Sequence, residues 1–123
     1  MGGVTTWDVL AYQSEYFSYF MPMAGDSWLS QAEDVSDDDE FADWIAKGIS
    51  DNGLSSDDFR IVAMVGQDDG TKYSMQPQIE ALRSRHPELF TDDSLIYWEN
   101  RNGGHNQESL EAETQHGVKY LWN

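Results

Sequence analysis

The stretch Phe59-Arg60-Ile61-Val62-Ala63-Met64-Val65 is the clearest strand pattern in the chain. Every residue after Arg60 is apolar, and such a continuous run is typical of a strand covered on both faces. The polar loop Gly66-Gln67-Asp68-Asp69-Gly70 follows it, and helical spacing resumes at about Ser74. A buried strand that leads through a short loop into a helix is the unit from which parallel α/β sheets are built.

The rest of the chain repeats this alternation. Two further strands are predicted, one over the aromatic-rich run from Tyr16 to Met23, which we expect to be buried, and one over Leu95 to Trp98. Helical spacing predicts four helices. They cover residues 4–17, a segment with Phe41, Trp44, Ile45 and Ile49 on one face that stops at Asn52-Gly53, about residues 74–85, and residues 107–122. The last helix should turn Leu110, Thr114, Gly117, Val118 and Leu121 inward. The sequence therefore predicts an α/β fold, with about three parallel strands alternating with helices, in one domain over residues 1–123.

Composition and charge exclude several classes of partner. The 123 residues have a net charge of −16, which excludes a nucleic-acid backbone as a partner and disfavours an anionic membrane surface, while neutral carbohydrates stay open. The chain has no cysteine, so it has neither disulfides nor thiolate metal ligands. No run approaches the roughly 20 apolar residues of a membrane span. We find no signal-peptide pattern at the start, so the sequence leaves the compartment unknown.

The acidic run from Glu33 to Asp43 contains seven carboxylates in eleven residues. A calcium loop would need the D-x-D-x-D-G spacing with a distal glutamate, which is absent from this run. We expect instead a solvated loop whose last members lie at a helix N-terminus, where negative charge is favourable. No metal site is predicted.

Two ionisable side chains follow the ends of predicted strands. Asp69 follows the second strand, and His105 follows the third in the glycine-containing loop Asn102-Gly103-Gly104-His105-Asn106. Because neighbouring parallel strands lie about 5 Å apart, loops that leave their same ends can bring the carboxylate onto the imidazole. Such a pair fixes the imidazole tautomer and stabilises the imidazolium formed in base catalysis. Each residue taken alone is equally consistent with an ordinary turn or helix-capping residue.

A nucleophile is the missing member of such a site. The order of Asp69 before His105 matches α/β hydrolases whose catalytic residues follow the order Ser, Asp or Glu, His. These hydrolases place the serine in a G-x-S-x-G turn between a strand and a helix, and no serine of this chain lies in that pattern. The opening Met1-Gly2-Gly3 matches the residues that come directly after the serine in such a turn. We therefore expect the nucleophile to precede Met1.

Five stretches, in this order along the chain, resemble the carboxyl-terminal half of family 1 carbohydrate esterases. They are Met1-Gly2-Gly3, Tyr19-Phe20-Met21-Pro22-Met23-Ala24-Gly25-Asp26-Ser27-Trp28, Gly66-Gln67-Asp68-Asp69, Met75-Gln76-Pro77-Gln78-Ile79-Glu80-Ala81 and Gly104-His105. The chain is most similar to the feruloyl esterases attached to bacterial xylanases. This resemblance implies a partial α/β-hydrolase fold and the hydrolysis of feruloyl esters of cell-wall arabinoxylan, without a cofactor, through a Ser-Asp-His triad. The family is usually secreted.

The resemblance also implies roles for single residues. Asp69 corresponds to the triad acid and His105 to the triad base, and the family's spacing from the strand-end glycine selects Asp69 over its neighbour Asp68. The backbone N–H of Met1 corresponds to one oxyanion-hole donor. Trp28 corresponds to an aromatic residue on the loop that lines the substrate cleft. Without the serine we expect the chain to be inactive by itself, and we expect its unpaired sheet edge to favour self-association.

Two alternatives stay open at this point. An acetyl-xylan esterase would share the same skeleton, because nothing in the sequence specifies the acyl group. A non-catalytic, acidic carbohydrate-binding module would use Trp28, Trp44 and Trp98 as sugar platforms. The positions of Trp44 on a predicted core face and of Trp98 in a predicted strand argue against this module.

Overall fold

The computed structural model describes residues 1–28 and 37–122, in which helices and strands alternate as predicted. The elements in chain order are α1 (Gly2–Gln13), β1 (Tyr19–Phe20), α2 (Asp38–Asp51), β2 (Arg60–Gly66), α3 (Lys72–Arg85), β3 (Leu95–Asn100), α4 (Gln107–Gly117) and a 3-10 turn (Val118–Tyr120). The predicted α/β class is confirmed.

The three strands of the described residues form one parallel sheet in the order β1-β2-β3. Ile61 pairs with Leu95 at one end of the β2–β3 ladder, and Gly66 pairs with Asn100 at the other. Because the strands are parallel and in this register, the loops that follow β2 and β3 leave the sheet at the same edge.

Strand β1 is shorter and more exposed than the sequence predicts. Only Tyr19 and Phe20 form it, together with an isolated bridge from Met23 to Met64. Phe20 is buried, whereas Tyr19 is 56% exposed. Pro22 has no N–H to donate to a longer ladder, which is one reason why the pairing stops. The prediction of a buried strand from Tyr16 to Met23 is therefore wrong in both length and burial.

The sheet lies between two helical layers. Ile61, Ala63 and Val65 of β2 belong to the main hydrophobic core, to which α1, α2 and α3 contribute on the same face. Helix α4 packs against the opposite face, where its Gly117 contacts Met64. Both faces of β2 are therefore covered by helices, as its continuous apolar run predicted. Among the described residues no helix is both long and apolar enough to cross a membrane.

Several helix ends follow from local chemistry. The carboxylate of Asp37 accepts a hydrogen bond from the N–H of Glu40 at 2.8 Å, and α2 begins after this cap with an acidic first turn. The end of the acidic run therefore lies where it was predicted, while its first members, Glu33 and Asp34, fall outside the described residues. Helix α3 begins at Lys72 rather than Ser74, so Pro77 lies beyond the first turn in which it was expected.

A cluster of charged side chains joins α2 to the end of α3. The carboxylate of Asp43 accepts two hydrogen bonds from Arg85, at 2.9 and 2.8 Å, and lies 2.7 Å from Nε2 of His86. The hydrogen bonds from Arg85, followed by that from His86, lower the pKa of Asp43 to about 2. This carboxylate is 45% exposed, so the cluster holds two helices together under solvent screening.

Candidate active site

The two loops at the carboxyl edge of the sheet are joined through their backbones. The N–H of Gln67 donates to the carbonyl of Asn100, and the N–H of Asp68 donates to the carbonyl of Gly103, both at 2.9 Å. A Cβ atom on Gly66 would lie 2.3 Å from the carbonyl oxygen of Gly103, so the close approach of the loops requires glycine at position 66. These contacts set the positions of Asp69 and His105 relative to each other.

Asp69 and His105 are in direct contact. Nδ1 of His105 lies 2.8 Å from Oδ2 of Asp69, so the predicted hydrogen-bond contact between the two side chains is confirmed. The side chain of Asp69 is 2% exposed and that of His105 is 64% exposed, which buries the carboxylate beneath a solvent-facing ring. Asp68 is exposed and contacts the other loop through its backbone N–H. The structure thus brings Asp69, rather than its neighbour, to the histidine.

The charge of Asp69 determines the direction of this hydrogen bond. Burial by itself raises the pKa of Asp69, but the hydrogen bonds from Thr71 and His105 outweigh it, and the net pKa is lowered. The backbone N–H of Thr71 donates to Oδ1 at 2.9 Å. An ionised carboxylate can only accept, so Nδ1 of His105 donates its proton to Asp69. The other ring nitrogen, Nε2, is then free to accept a proton.

His105 lines a cleft of about 320 Å³ that also contains the start of α1. The cleft is bounded chiefly by Met1, Gly3, Met21, Met23, Leu110 and His105. Trp7 anchors α1 in this position by donating from its indole Nε1 to the carbonyl of Gly25 at 2.9 Å. The first N–H groups of an α-helix have no acceptor inside the helix and lie at its positive end. The cleft therefore combines an apolar wall, a histidine and a helix N-terminus.

The two remaining predicted site residues lie in different places. Met1 borders the cleft and is 78% exposed. Trp28 is 42% exposed and is not one of the described residues that line the cleft. The preceding residue, Ser27, is anchored to α3 by two hydrogen bonds between its backbone and the side chain of Gln78, at 2.8 and 3.2 Å.

Trp98 and Trp44, the other two tryptophans considered as sugar platforms, both pack against other side chains of the protein. Trp98 stacks on His116 with ring centroids 3.8 Å apart. Trp44 packs against the hydrophobic core and meets the ring of Tyr12 edge-on at 6.5 Å. Within residues 1–28 and 37–122, no group of three or more His, Asp or Glu residues is arranged to hold a metal ion.

Glu113 is a site-associated residue that the sequence analysis missed. It lies on α4, it is fully buried, and neither of its carboxylate oxygens has a hydrogen-bond partner among the described residues. Burial raises its pKa to about 7, the negative charge of Asp69 adds to this increase, and His105 opposes it. The spacing of Ser109, Glu113 and Gly117 along one helical line was the available sequence signal. Our prediction placed Leu110, Thr114, Gly117, Val118 and Leu121 inward; Gly117 is buried, whereas the other four are only partly buried, and the burial of Glu113 was not predicted.

Comparison with known proteins supplies a family context for this arrangement. No family model matches the chain. Over 93 residues, or 76% of its length, the chain is 38% identical to endo-1,4-beta-xylanase Y of Acetivibrio thermocellus, and it spans 8% of that protein.

Two solved structures match 96% of the chain with TM-scores of 0.85 and 27% identity, and the chain spans 41% of each. One is a serine-to-alanine mutant of the feruloyl esterase module from Clostridium thermocellum complexed with sinapinate, and the other is a structure of FAE. The resemblance to xylanase-associated feruloyl esterases that we predicted from the sequence is thereby confirmed, as is the partial hydrolase-like fold.

Proposed function

We propose that this chain, which corresponds to part of a feruloyl esterase module, supplies the acid and the base of a Ser-Asp-His triad that hydrolyses feruloyl esters of plant cell-wall xylan. Residues 1–123 would form the second portion of one esterase domain. The observation that carries the proposal is the 2.8 Å contact between Asp69 and His105 at the carboxyl ends of neighbouring parallel strands.

The geometry supports a defined role for each member of the pair. With Nδ1 donating to Asp69, Nε2 of His105 would accept the proton of a serine hydroxyl as its oxygen attacks the ester carbonyl. The imidazolium would then return this proton to the leaving sugar oxygen, and a water molecule would hydrolyse the acyl-enzyme by the same route. Asp69 would hold the ring orientation and stabilise the imidazolium without becoming protonated.

The nucleophile would come from outside the 123 residues. Among the described residues, the side chain of His105 forms its hydrogen bond with Asp69, and no serine hydroxyl is bonded to its ring. The start of α1 borders the same cleft, which fits a serine that immediately precedes Met1. In that position the backbone N–H of Met1 would donate to the oxyanion, assisted by the positive end of the helix.

The cleft also fits an aromatic acyl group attached to a neutral sugar. Met21, Met23 and Leu110 offer thioether and aliphatic surfaces, which pack favourably against an aromatic ring. A net charge of −16 does not oppose a neutral polysaccharide. Trp28 would contact a part of the substrate outside this cleft, since its exposed ring is not part of the lining.

A chimaera tests the proposal. The preceding part of a feruloyl esterase module, ending at its nucleophile serine, is joined to Met1, and kcat/KM for methyl ferulate is measured. We expect hydrolysis that falls about 10⁴-fold in Asp69→Asn and by about 10⁵-fold or more in His105→Ala. Asp68→Asn serves as the matched control and should leave kcat/KM unchanged. The unjoined chain should hydrolyse the ester no faster than its own His105→Ala variant.

Two results would overturn the assignment. The first is turnover by the unjoined chain that survives His105→Ala, because it would show that the base is not His105. The second is a chimaera that is folded by circular dichroism and active on methyl ferulate, yet keeps its activity in both triad variants.

A further inference from the structure

Helix α4 buries an unusual line of residues against the sheet. Its buried positions are Ser109, Glu113 and Gly117, each four residues from the next. The hydroxyl oxygen of Ser109 accepts a hydrogen bond from the N–H of Gly104 at 2.9 Å, which joins this end of the helix to the loop of His105. A Cβ atom on Gly117 would lie 2.4 Å from Cε of Met64, so the other end lies directly on β2. Glu113 lies between these two contacts on the same line of the helix.

The environment of Glu113 provides no hydrogen bond to its carboxylate among the described residues. Its side chain is 0% exposed, and its two oxygens are without a hydrogen-bond partner in the described part of the chain. An isolated buried carboxylate is so unfavourable that such groups take up a proton instead. The titratable groups whose charges act on Glu113 are Asp69, from the loop after β2, and His105, from the loop after β3. Both belong to the candidate active site.

We propose that Glu113 is a positioning residue of the Asp69–His105 pair, a second carboxyl whose gain or loss of a proton sets how strongly the site favours a positive charge on His105. The inference rests on the proposed function, because it assigns a role within that same pair. With Glu113 protonated, Asp69 is the one group of these three that is negatively charged. With Glu113 ionised, a second negative charge acts on His105 and stabilises the imidazolium that forms when its Nε2 accepts a proton.

Structure alone gives no reason for a carboxyl at this position. The neighbouring buried surface of β2 is apolar, and an apolar side chain of similar volume would remove the cost of an unpartnered polar group. The electrostatic coupling to Asp69 and His105 is the property of Glu113 that such a replacement would lose.

NMR titration of the unjoined chain tests this coupling without any need for catalysis. In the first experiment, the carboxyl carbon of Glu113 is followed between pH 4 and 9. We expect a midpoint near 7 in the native chain. In Asp69→Asn the midpoint should fall by about half a unit or more, because a neighbouring negative charge is removed while the hydrogen-bonding shape is kept. In His105→Ala it should rise, because an opposing positive charge is lost.

A second readout uses the amide proton of Thr71, which is bonded to Asp69 and responds to charge near it. In the His105→Ala chain, this resonance should show a step at the midpoint of Glu113. The step should vanish in the double variant that also contains Glu113→Gln, and it should persist when Glu111→Gln replaces it. Glu111 is the matched control, because it is exposed on the same helix.

The two readouts make the inference refutable even if Asp69→Asn does not fold. A Glu113 midpoint at the ordinary value of 4.5 would overturn it. A Thr71 step that survives in the double variant would overturn it as well. Neither result would affect the esterase assignment, which the chimaera tests separately through hydrolysis.

Discussion

Replacing Glu113 with glutamine should stabilise the chain in a strongly pH-dependent way. Burial raises the pKa of this carboxyl to about 7 in the folded chain, against 4.5 for an unperturbed glutamate. One pKa unit corresponds to about 1.4 kcal/mol, so the shift is equivalent to about 3 kcal/mol of unfolding free energy. Glutamine keeps the shape of the protonated side chain and removes the ionisation.

The sign follows from the order of the two pKa values. Below pH 4.5 the carboxyl is protonated in both states and costs nothing through ionisation. As the pH rises from 4.5 to about 7, the unfolded chain releases the proton while the folded chain retains it, so the free energy of unfolding falls. Above pH 7 the full penalty of about 3 kcal/mol is present. The advantage of Glu113→Gln should therefore grow by this amount between pH 4.5 and pH 8.

Urea unfolding followed by tryptophan fluorescence measures this advantage. The free energy of unfolding is determined at pH 4.5 and pH 8 for the native chain, for Glu113→Gln and for the exposed control Glu111→Gln. Taking differences between chains at each pH cancels the contributions of the other titrating groups. A stability difference between Glu113→Gln and the native chain that changes by less than about 1 kcal/mol between the two pH values would show that Glu113 does not titrate as a buried, unpartnered carboxyl. The control should show no comparable change.

Three further predictions concern the site, the helix contacts and the sheet edge. Gly66→Ala places a Cβ atom 2.3 Å from the oxygen of Gly103 and should cost about 1–3 kcal/mol of stability in thermal melts, whereas Gly70→Ala, which has open space around it, should not. Asp43→Asn should cost less than about 1 kcal/mol at neutral pH. Because the pKa of Asp43 is lowered from 3.8 to about 2, this contribution should disappear in urea titrations as the pH falls through that range, and a cost that persists at pH 2 would contradict it. The unjoined chain should self-associate through the unpaired edge of β1, and Tyr19→Lys should reduce the association in sedimentation experiments; a compact, sharply melting native monomer would count against this prediction.

The β2 segment illustrates what periodicity predicts well. Its uninterrupted apolar run indicated a central strand with both faces covered, and the structure places helices on both sides of it. The β1 segment illustrates the opposite case. Its aromatic residues have high strand propensity, but strand pairing needs a partner within reach, and only Tyr19 and Phe20 find one in β2. Local composition therefore overestimated both the length and the burial of β1.

In the candidate site, too, some residues could be predicted from the sequence and others could not. The order of strands and loops in the sequence was enough to bring Asp69 and His105 to one edge of a parallel sheet, because that edge collects every loop leaving a strand's carboxyl end. It was not enough to place Glu113. Hydrophobic periodicity assigns the inward face of a helix to its most apolar side, and in α4 this assignment selected Leu110, Thr114 and Gly117 and passed over Glu113.

Sequence patterns alone were therefore enough to predict the alternating α/β class, the central strand, the resemblance to feruloyl esterases and the pairing of an aspartate with a histidine. Each of these depends on patterns that are local along the chain or on a topology that local patterns imply. The three-dimensional contacts were needed to show that Glu113 is buried on α4 and that the cleft opens between His105 and the start of α1. The burial of Glu113 depends on how α4 is rotated about its axis, and the cleft depends on how close α1 lies to His105. Both follow from contacts between residues far apart in sequence, such as that of Gly117 with Met64.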